Sequence, residues 1–208
     1  LPDGVSIPIK ITLPGRHNVL NATVAITVAQ GVCGPPFRAD DALLTFESTA
    51  RRFDVRDDIG GIAVIDDYAH HPTAIKTTLE AAKLRYPERE LWAVWQPHMY
   101  SRTQTLLGDY ATAFNAADHV IVTEIYAARE AAIEGVTGQS TADAIQHADV
   151  RHTPTFADAV ELLVDRVKSP AVVLIMSAGD APQIGIDFVN IIRDRLSHAD
   201  GGVTETAR

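Results

Sequence analysis

Two adjacent carboxylates, Asp66 and Asp67, are followed by Tyr68, Ala69 and a tandem pair of imidazoles, His70 and His71, before Pro72. A second polar cluster runs Gln96-Pro97-His98-Met99-Tyr100-Ser101-Arg102, and a third is Ser177-Ala178-Gly179-Asp180. Imidazoles exchange protons near neutral pH and a guanidinium forks onto a carboxylate or phosphate, so these residue types suit binding and proton transfer on an anionic substrate. Asp66 and Asp67 read either as general acid–base partners or as acceptors for ribose hydroxyls at the end of a strand. Ser101 and Gln104 match a capping box, which puts Arg102 in the first turn of a helix whose free N–H groups favour an anion. The alternative is an ordinary surface arginine on a capped helix. His70 and His71 lack metal-ligand spacing: there is no His-Glu-x-x-His, and neighbours in an extended segment point to opposite sides. His71 suits the cap of a helix opening at Pro72, which leaves His70 to meet a ligand.

The elements that must position these residues follow from hydrophobic pattern. From about residue 50, short apolar runs at 52–56, 62–65, 91–95, 119–123, 150–152 and 171–176 predict strands. Helical patterns at 72–85, 101–116, 140–147, 155–168 and 182–196 fill the intervals. Residues 57–61 read as the loop of a hairpin, so the first strand is antiparallel to the second. The sum is a doubly wound α/β fold with a mostly parallel, Rossmann-like sheet and one antiparallel strand, whose sites lie at the carboxyl ends of the strands. All three polar clusters fall at such ends. Before residue 50 the pattern differs: 7–13 predicts a strand, Asn18 caps a helix that is apolar nearly all round to Gly31, and 40–48 is a short helix. Such a helix should be buried on most sides. The expected division is 1–49, 50–196, and an unstructured tail over 197–208.

With 18 Lys plus Arg against 27 Asp plus Glu, a formal charge of −9 argues against nucleic-acid partners held by bulk charge. The longest apolar run, 171–176, is far below the roughly 20 residues of a membrane span. A single cysteine, Cys33, allows no internal disulfide and fits a cytoplasmic setting. Neither G-x-G-x-x-G nor G-x-x-x-x-G-K-[ST] occurs, so the usual backbone cradles for dinucleotides and triphosphates are missing from the chain. A phosphoacceptor receiver module would need a third Asp after the middle strand and a Lys after the last; those places hold Thr123-Glu124 and Ser177-Ala178-Gly179.

Six segments together carry a resemblance to the Mur ligases, most of all to their alanine-adding members: Pro14-Gly15-Arg16-His17-Asn18-Val19-Leu20-Asn21-Ala22, Arg51-Arg52-Phe53, Asp66-Asp67-Tyr68-Ala69-His70-His71-Pro72-Thr73, Gln96-Pro97-His98 with Tyr100-Ser101-Arg102-Thr103, Ile125-Tyr126-Ala127-Ala128, and Ala178-Gly179-Asp180. The resemblance implies that 1–49 ends a central ATPase domain and that the rest is the C-terminal domain. It implies ATP-dependent ligation of L-alanine to UDP-N-acetylmuramate through an acyl phosphate, in peptidoglycan synthesis. The same likeness places His17, Asn18, Asn21, Arg52 and Asp67 on ATP. Tyr68, His70, His98 and Arg102 fall to L-alanine, with His70 and Arg102 the catalytic pair. His70 either orients the amine or accepts its proton.

A murein-peptide recycling ligase and a non-catalytic nucleotide-binding remnant are the alternatives. The family's UDP-binding domain, phosphate loop and Mg2+ ligands would precede Leu1, so the chain is expected to be inactive alone and to associate with that part. Two departures from the family pattern stand out. Met99 occupies a place usually taken by arginine, and Ser177 one usually taken by glycine, where a side chain should crowd a tight loop or demand a glycine-like backbone.

Overall fold

The computed structural model describes residues 8–34, 40–46 and 49–201 and divides into two compact units, Leu1–Thr49 and Ala50–Arg208. In the first, α1 (Arg16–Cys33) is followed by α2 (Asp40–Leu44). Helix α1 starts earlier than its sequence suggests. Gly15, at φ 95°, is the N-cap, and Asn18 lies inside the first turn with its Nδ2 donating to the Pro14 carbonyl at 2.7 Å. A left-handed N-cap selects glycine over a side chain that would cap. Residues 8–13 form no strand, and Ile7 lies outside the described residues. A strand needs a neighbouring backbone to satisfy its N–H and C=O groups, and the described part of this unit holds only helices. Nor is α1 buried on most sides. Ala22 alone is buried, while Leu20, Val24, Val28 and Val32 are 57%, 62%, 61% and 81% exposed, a stripe at four-residue spacing that no described residue of this unit covers.

The second unit is a six-stranded sheet flanked by helices. In chain order it comprises β1 (Asp54–Ile59), β2 (Ile62–Asp67), α3 (Pro72–Arg85), β3 (Glu90–Trp95), α4 (Tyr100–Thr105), α5 (Leu107–Tyr110), β4 (His119–Thr123), α6 (Gly138–Ala144), β5 (Val150–Thr153), α7 (Phe156–Arg166), β6 (Ala171–Met176) and α8 (Pro182–Gly201). The order across the sheet is β1-β2-β6-β3-β4-β5, with β1 antiparallel to β2 and the remaining neighbours parallel. The hairpin turn is tighter than its sequence suggests. Only Gly60 and Gly61 lie outside the strands, at φ 58° and 80°, a pair of left-handed angles that glycine adopts without a Cβ clash.

Every residue of β2 and β6 is buried, which is why 62–65 and 171–176 read as continuous apolar runs. Alternation along β2 sends Ala63 and Ile65 to one face with Leu79, Tyr110 and Phe114, and Ile62 and Val64 to the other with Leu163, Ile184 and Phe188. Fully burying one such aliphatic side chain stabilises the fold by about 1.5–3 kcal/mol, so these two layers fix where the strand ends lie. The same alternation separates Asp66 from Asp67. Asp66 faces the α8 side, where Arg56 grips its Oδ2 through Nε at 2.8 Å and also through Nη2. Burial raises its pKa despite that arginine. Asp66 and Asp67 therefore do not act as a general acid–base pair.

Two further expectations change. The helix expected over 101–116 is two short helices, α4 and α5, parted by Leu106 and followed by turns. Residues 197–201, expected in a tail, are the last turn of α8, and 202–208 lie outside the described residues.

Candidate functional site

The parallel register aligns Asp67 of β2 with Met176 of β6, and Met176 with Trp95 of β3. Three loops therefore leave the sheet at one level: 68–71, 96–99 and 177–181. A fourth, after β4, joins them through a parallel bridge between His98 and Tyr126.

These loops are braced by side chains before any ligand arrives. Gln96, buried, donates through Nε2 to Asp180 Oδ1 at 2.7 Å, while its Oε1 accepts from Ser177 Oγ at 2.7 Å and from the Ala181 amide at 3.3 Å. Ser177 Oγ also accepts from the Gly179 amide at 2.8 Å. Ser177 thus neither crowds the loop nor takes a left-handed backbone; its hydroxyl is the knot of the network. Gly179 is where glycine is required by space: a Cβ there would lie 2.6 Å from Gln96 Oε1 and from the Tyr126 ring. Arg51 crosses from the start of the unit to donate through Nη2 to the carbonyls of Ser177 at 2.6 Å and Gly179 at 3.1 Å. Its guanidinium lies 5.0 Å from the Tyr68 ring centroid.

Above this base, His70 packs edge-on to Tyr68 at 5.2 Å and tilted against His98 at 5.7 Å. His70 Nδ1 is 2.8 Å from the Tyr68 carbonyl. A carbonyl only accepts, so Nδ1 carries the proton and the neutral ring presents Nε2 as a bare lone pair. Burial lowers the His70 pKa; the Tyr68 carbonyl opposes this, and Arg102, His71 and Arg52 add to it. The ring is neutral near pH 7. From below, the buried Tyr110 hydroxyl donates to the His70 carbonyl at 2.8 Å, and the Tyr110 ring packs tilted against Trp95 at 4.5 Å. His71 caps α3, its Nδ1 accepting from the Thr73 amide at 3.4 Å.

Arg102 Nη1 is 3.5 Å from His98 Nδ1. Arginine only donates, so His98 accepts there; burial, then His70 and Arg102, hold its pKa below the usual value. His98 in turn stacks on Tyr126 at 5.6 Å. Ser101 does not cap α4. The N-cap is Met99, at φ 71°, without a side-chain cap bond, and Ser101 instead bonds Glu130 through both its amide and its hydroxyl. The anion expected at this helix start is supplied by the chain itself.

Among the residues expected on ATP, Arg52 lies over the Tyr68 ring at 5.6 Å, on the same aromatic as Arg51. Asp67, buried, accepts from the Phe53 amide at 2.7 Å through Oδ2, and through Oδ1 from the Ala69 amide at 2.7 Å and Thr78 Oγ1 at 3.5 Å. It ties β1's entry, the 68–71 loop and α3 together. His17, Asn18 and Asn21 belong to the first unit and share a face of α1 by their three- and four-residue spacing. Among the described residues no group of three or more His, Cys, Asp or Glu side chains is placed to hold a metal ion. No described helix is long and apolar enough to cross a membrane.

Tyr68, His70, His98 and Arg102 are therefore brought together, Arg52 joins them through Tyr68, and Asp67 supports their loop from within. Sequence reasoning missed Arg51, Tyr110, Tyr126 and Glu130 as parts of this site. Arg51 and Tyr126 stand inside the quoted segments, and Tyr110 and Glu130 carry no local signal.

A family model described as the glutamate ligase domain of Mur ligases matches residues 51–179, most of the chain. The chain belongs to the Mur ligase family. Two relatives are named UDP-N-acetylmuramate–L-alanine ligase. That of Salinibacter ruber is 42% identical over 93% of this chain and 40% of its own length. The one from Caldanaerobacter subterraneus is 40% identical over 86% and 39%. The chain thus spans about two fifths of these relatives. Among solved Mur ligase structures, the UDP-N-acetylmuramate-alanine ligase of Thermotoga maritima superposes with a TM-score of 0.76 at 27% identity, covering 91% of this chain and 41% of that one. A murein peptide ligase from Psychrobacter arcticus gives 0.66 at 27% identity, covering 88% and 38%.

Proposed function

We propose that this chain carries the amino-acid-binding part of an ATP-dependent ligase that joins L-alanine to UDP-N-acetylmuramate in peptidoglycan synthesis. The observation that carries the reading is the meeting of Arg102, His98 and a neutral His70 at one strand edge. A guanidinium there suits the carboxylate of an amino acid, and a bare imidazole nitrogen suits its amine. The names of the relatives supply the substrates.

In the proposed reaction a muramate carboxylate oxygen attacks the γ-phosphorus of ATP, the bond to the bridging oxygen breaks, and ADP leaves. The alanine amine then attacks the acyl carbon and inorganic phosphate leaves. Arg102 holds the alanine carboxylate, which fixes the distance from amine to acyl carbon and lowers the entropic part of the barrier. His70 Nε2 accepts the proton the amine loses. Arg52 faces the phosphates, where charge accumulates on the transferring group. His17, Asn18 and Asn21 take the adenine, and Asp67 takes the ribose while bracing its loop. Residues 1–49 are the end of the central ATPase domain, and 50–196 are the C-terminal domain. The phosphate cradle and the Mg2+ ligands belong to a part of the enzyme outside these 208 residues.

The test mixes the chain with ATP, Mg2+, UDP-N-acetylmuramate and L-alanine and follows phosphate release, alone and with the N-terminal part of a related ligase added in trans. Turnover only after complementation is expected. Turnover by the chain alone, or turnover with a short murein peptide and none with L-alanine, overturns the reading.

A further inference from the structure

The loop after β4 runs alongside the one after β3 and is stitched to it. The Tyr126 amide donates to the Pro97 carbonyl at 2.9 Å, and the Met99 amide donates to the Tyr126 carbonyl at 2.9 Å. Beyond Tyr126 the chain makes a costly turn. Ala128 and Arg129 are consecutive non-glycine residues at φ 48° and 75°. Left-handed backbone is unfavourable for such residues and persists only where the surroundings over-determine it. What the turn delivers is Glu130, whose Oε2 accepts from the Ser101 amide at 3.0 Å and whose Oε1 accepts from Ser101 Oγ at 2.6 Å. Ser101 immediately precedes Arg102. The cap that α4 lacks from its own side chains is thus provided by a residue from another loop.

We propose that Glu130 is a positioning residue for Arg102. It clamps the start of α4 so that the guanidinium stands beside His98, ready for the carboxylate of the amino acid. The proposal rests on the alanine-binding reading above and adds to it a residue 28 positions from Arg102, both of whose carboxylate oxygens are taken up by Ser101. A six-residue helix opening at a left-handed Met99 has little to hold it in place. With the clamp, the backbone leading into Arg102 is tied at Met99 by Tyr126 and at Ser101 by Glu130, so both anchors of the helix start come from the β4 loop. The charge relationship agrees with this role. The Glu130 pKa is lowered, first by the Ser101 hydroxyl and amide and then, after an opposing burial effect, by the Tyr100 amide and Arg102. The carboxylate is ionised wherever the site operates.

The experiment uses the 208-residue chain and its Glu130→Ala and Glu130→Gln variants. Amide exchange at Ser101 and the order of the Arg102 Nε–Hε group are read by NMR without ligand, and L-alanine is then titrated into each protein. Glu130→Ala is expected to speed Ser101 exchange, loosen Arg102 and weaken L-alanine binding about tenfold. Glu130→Gln, which keeps one acceptor oxygen, should recover part of each effect while thermal unfolding stays close to the parent in both. An Arg102 as ordered in Glu130→Ala as in the parent overturns the proposal, and so does unchanged L-alanine affinity despite a loosened Arg102. If the parent itself gives no response to L-alanine, the alanine reading fails, while the dependence of Arg102 order on Glu130 still decides the positioning role.

Discussion

The Tyr110 hydroxyl donates to the backbone carbonyl of His70 across 40 residues of sequence, at 2.8 Å. The phenol is buried and its pKa is pushed up to about 12, chiefly by burial. Tyr110→Phe leaves that carbonyl without its donor, an expected loss of about 1–2 kcal/mol in urea unfolding. Its second readout is a shift of the His70 ring resonances, absent if the bond does not hold the loop. Because the folded pKa lies above the ordinary 10, the parent loses stability as pH rises from about 10 through about 12, and Tyr110→Phe should lack that alkaline component.

Removing Arg102 tests the amino-acid end of the site. In the complemented enzyme, Arg102→Ala should raise the KM for L-alanine far more than that for ATP. Loss of a charge-assisted partner in a desolvated site costs about 2–5 kcal/mol, or tens- to thousands-fold in affinity. Equal effects on the two substrates would refute the assignment.

Acid should silence the site through His70. Its pKa is below the usual 6.5, so the bare Nε2 survives to lower pH than in a free imidazole. The acid limb of kcat/KM for L-alanine is expected at a pH below about 6.5, and His70→Gln should abolish that limb.

Two backbone positions make opposite demands. Gly179→Ala brings a Cβ to 2.6 Å from Gln96 Oε1 and the Tyr126 ring, so about 1–3 kcal/mol of destabilisation is expected in thermal unfolding. Met99→Gly relieves a left-handed residue and should stabilise by about 1 kcal/mol, whereas Met99→Arg keeps that backbone and should leave L-alanine affinity unchanged or improved. A large loss of affinity in Met99→Arg would mean that the pocket is shaped around the thioether.

At the amino ends of the strands, His119 stands between two carboxylates, with Nδ1 2.6 Å from Asp149 and Nε2 2.8 Å from Glu90, and stacks on Trp92 at 3.9 Å. Burial works against the imidazolium, but the bonds to Glu90 and Asp149 prevail and its pKa is raised. A raised histidine contributes stability that is complete below about pH 6.5 and fades as pH climbs through the folded value. The Glu90 pKa is lowered, first by His119, and that of Asp149 is lowered against its own burial, so their share fades instead as pH falls through those values. Trp92 fluorescence should report a titration above pH 6.5 that vanishes in His119→Gln.

The second unit was legible because both faces of its sheet are covered: strands such as β6 carry no polar residue, so their runs stand out from the amphipathic helices between them. The site's ligand-facing residues could be read because they sit at strand ends. Its supports could not. Glu130 to Ser101, Tyr110 to His70 and Arg51 to Ser177 are contacts across 29, 40 and 126 residues, and no local pattern records them. The Ser101/Gln104 pattern misled for the same reason, since the cap that forms is the distant one. In the first unit, α1 reads as buried because its sequence is apolar all round, but burial depends on what lies against a helix, which the helix's own sequence does not specify.

Strand β6 is the last to be synthesised, yet it lies between β2 and β3, two strands that never touch each other directly. The chain emerging from a ribosome therefore carries the His70 and His98 loops long before anything joins the strands beneath them. The hydrogen-bonded register between the two strands forms only when residues 171–176 arrive, so the backbone alignment of the two loops is completed late, after side chains such as Tyr110 can already link them. A nascent chain stalled before residue 171 should leave β2 and β3 each with an open strand edge exposed to pairing with other chains.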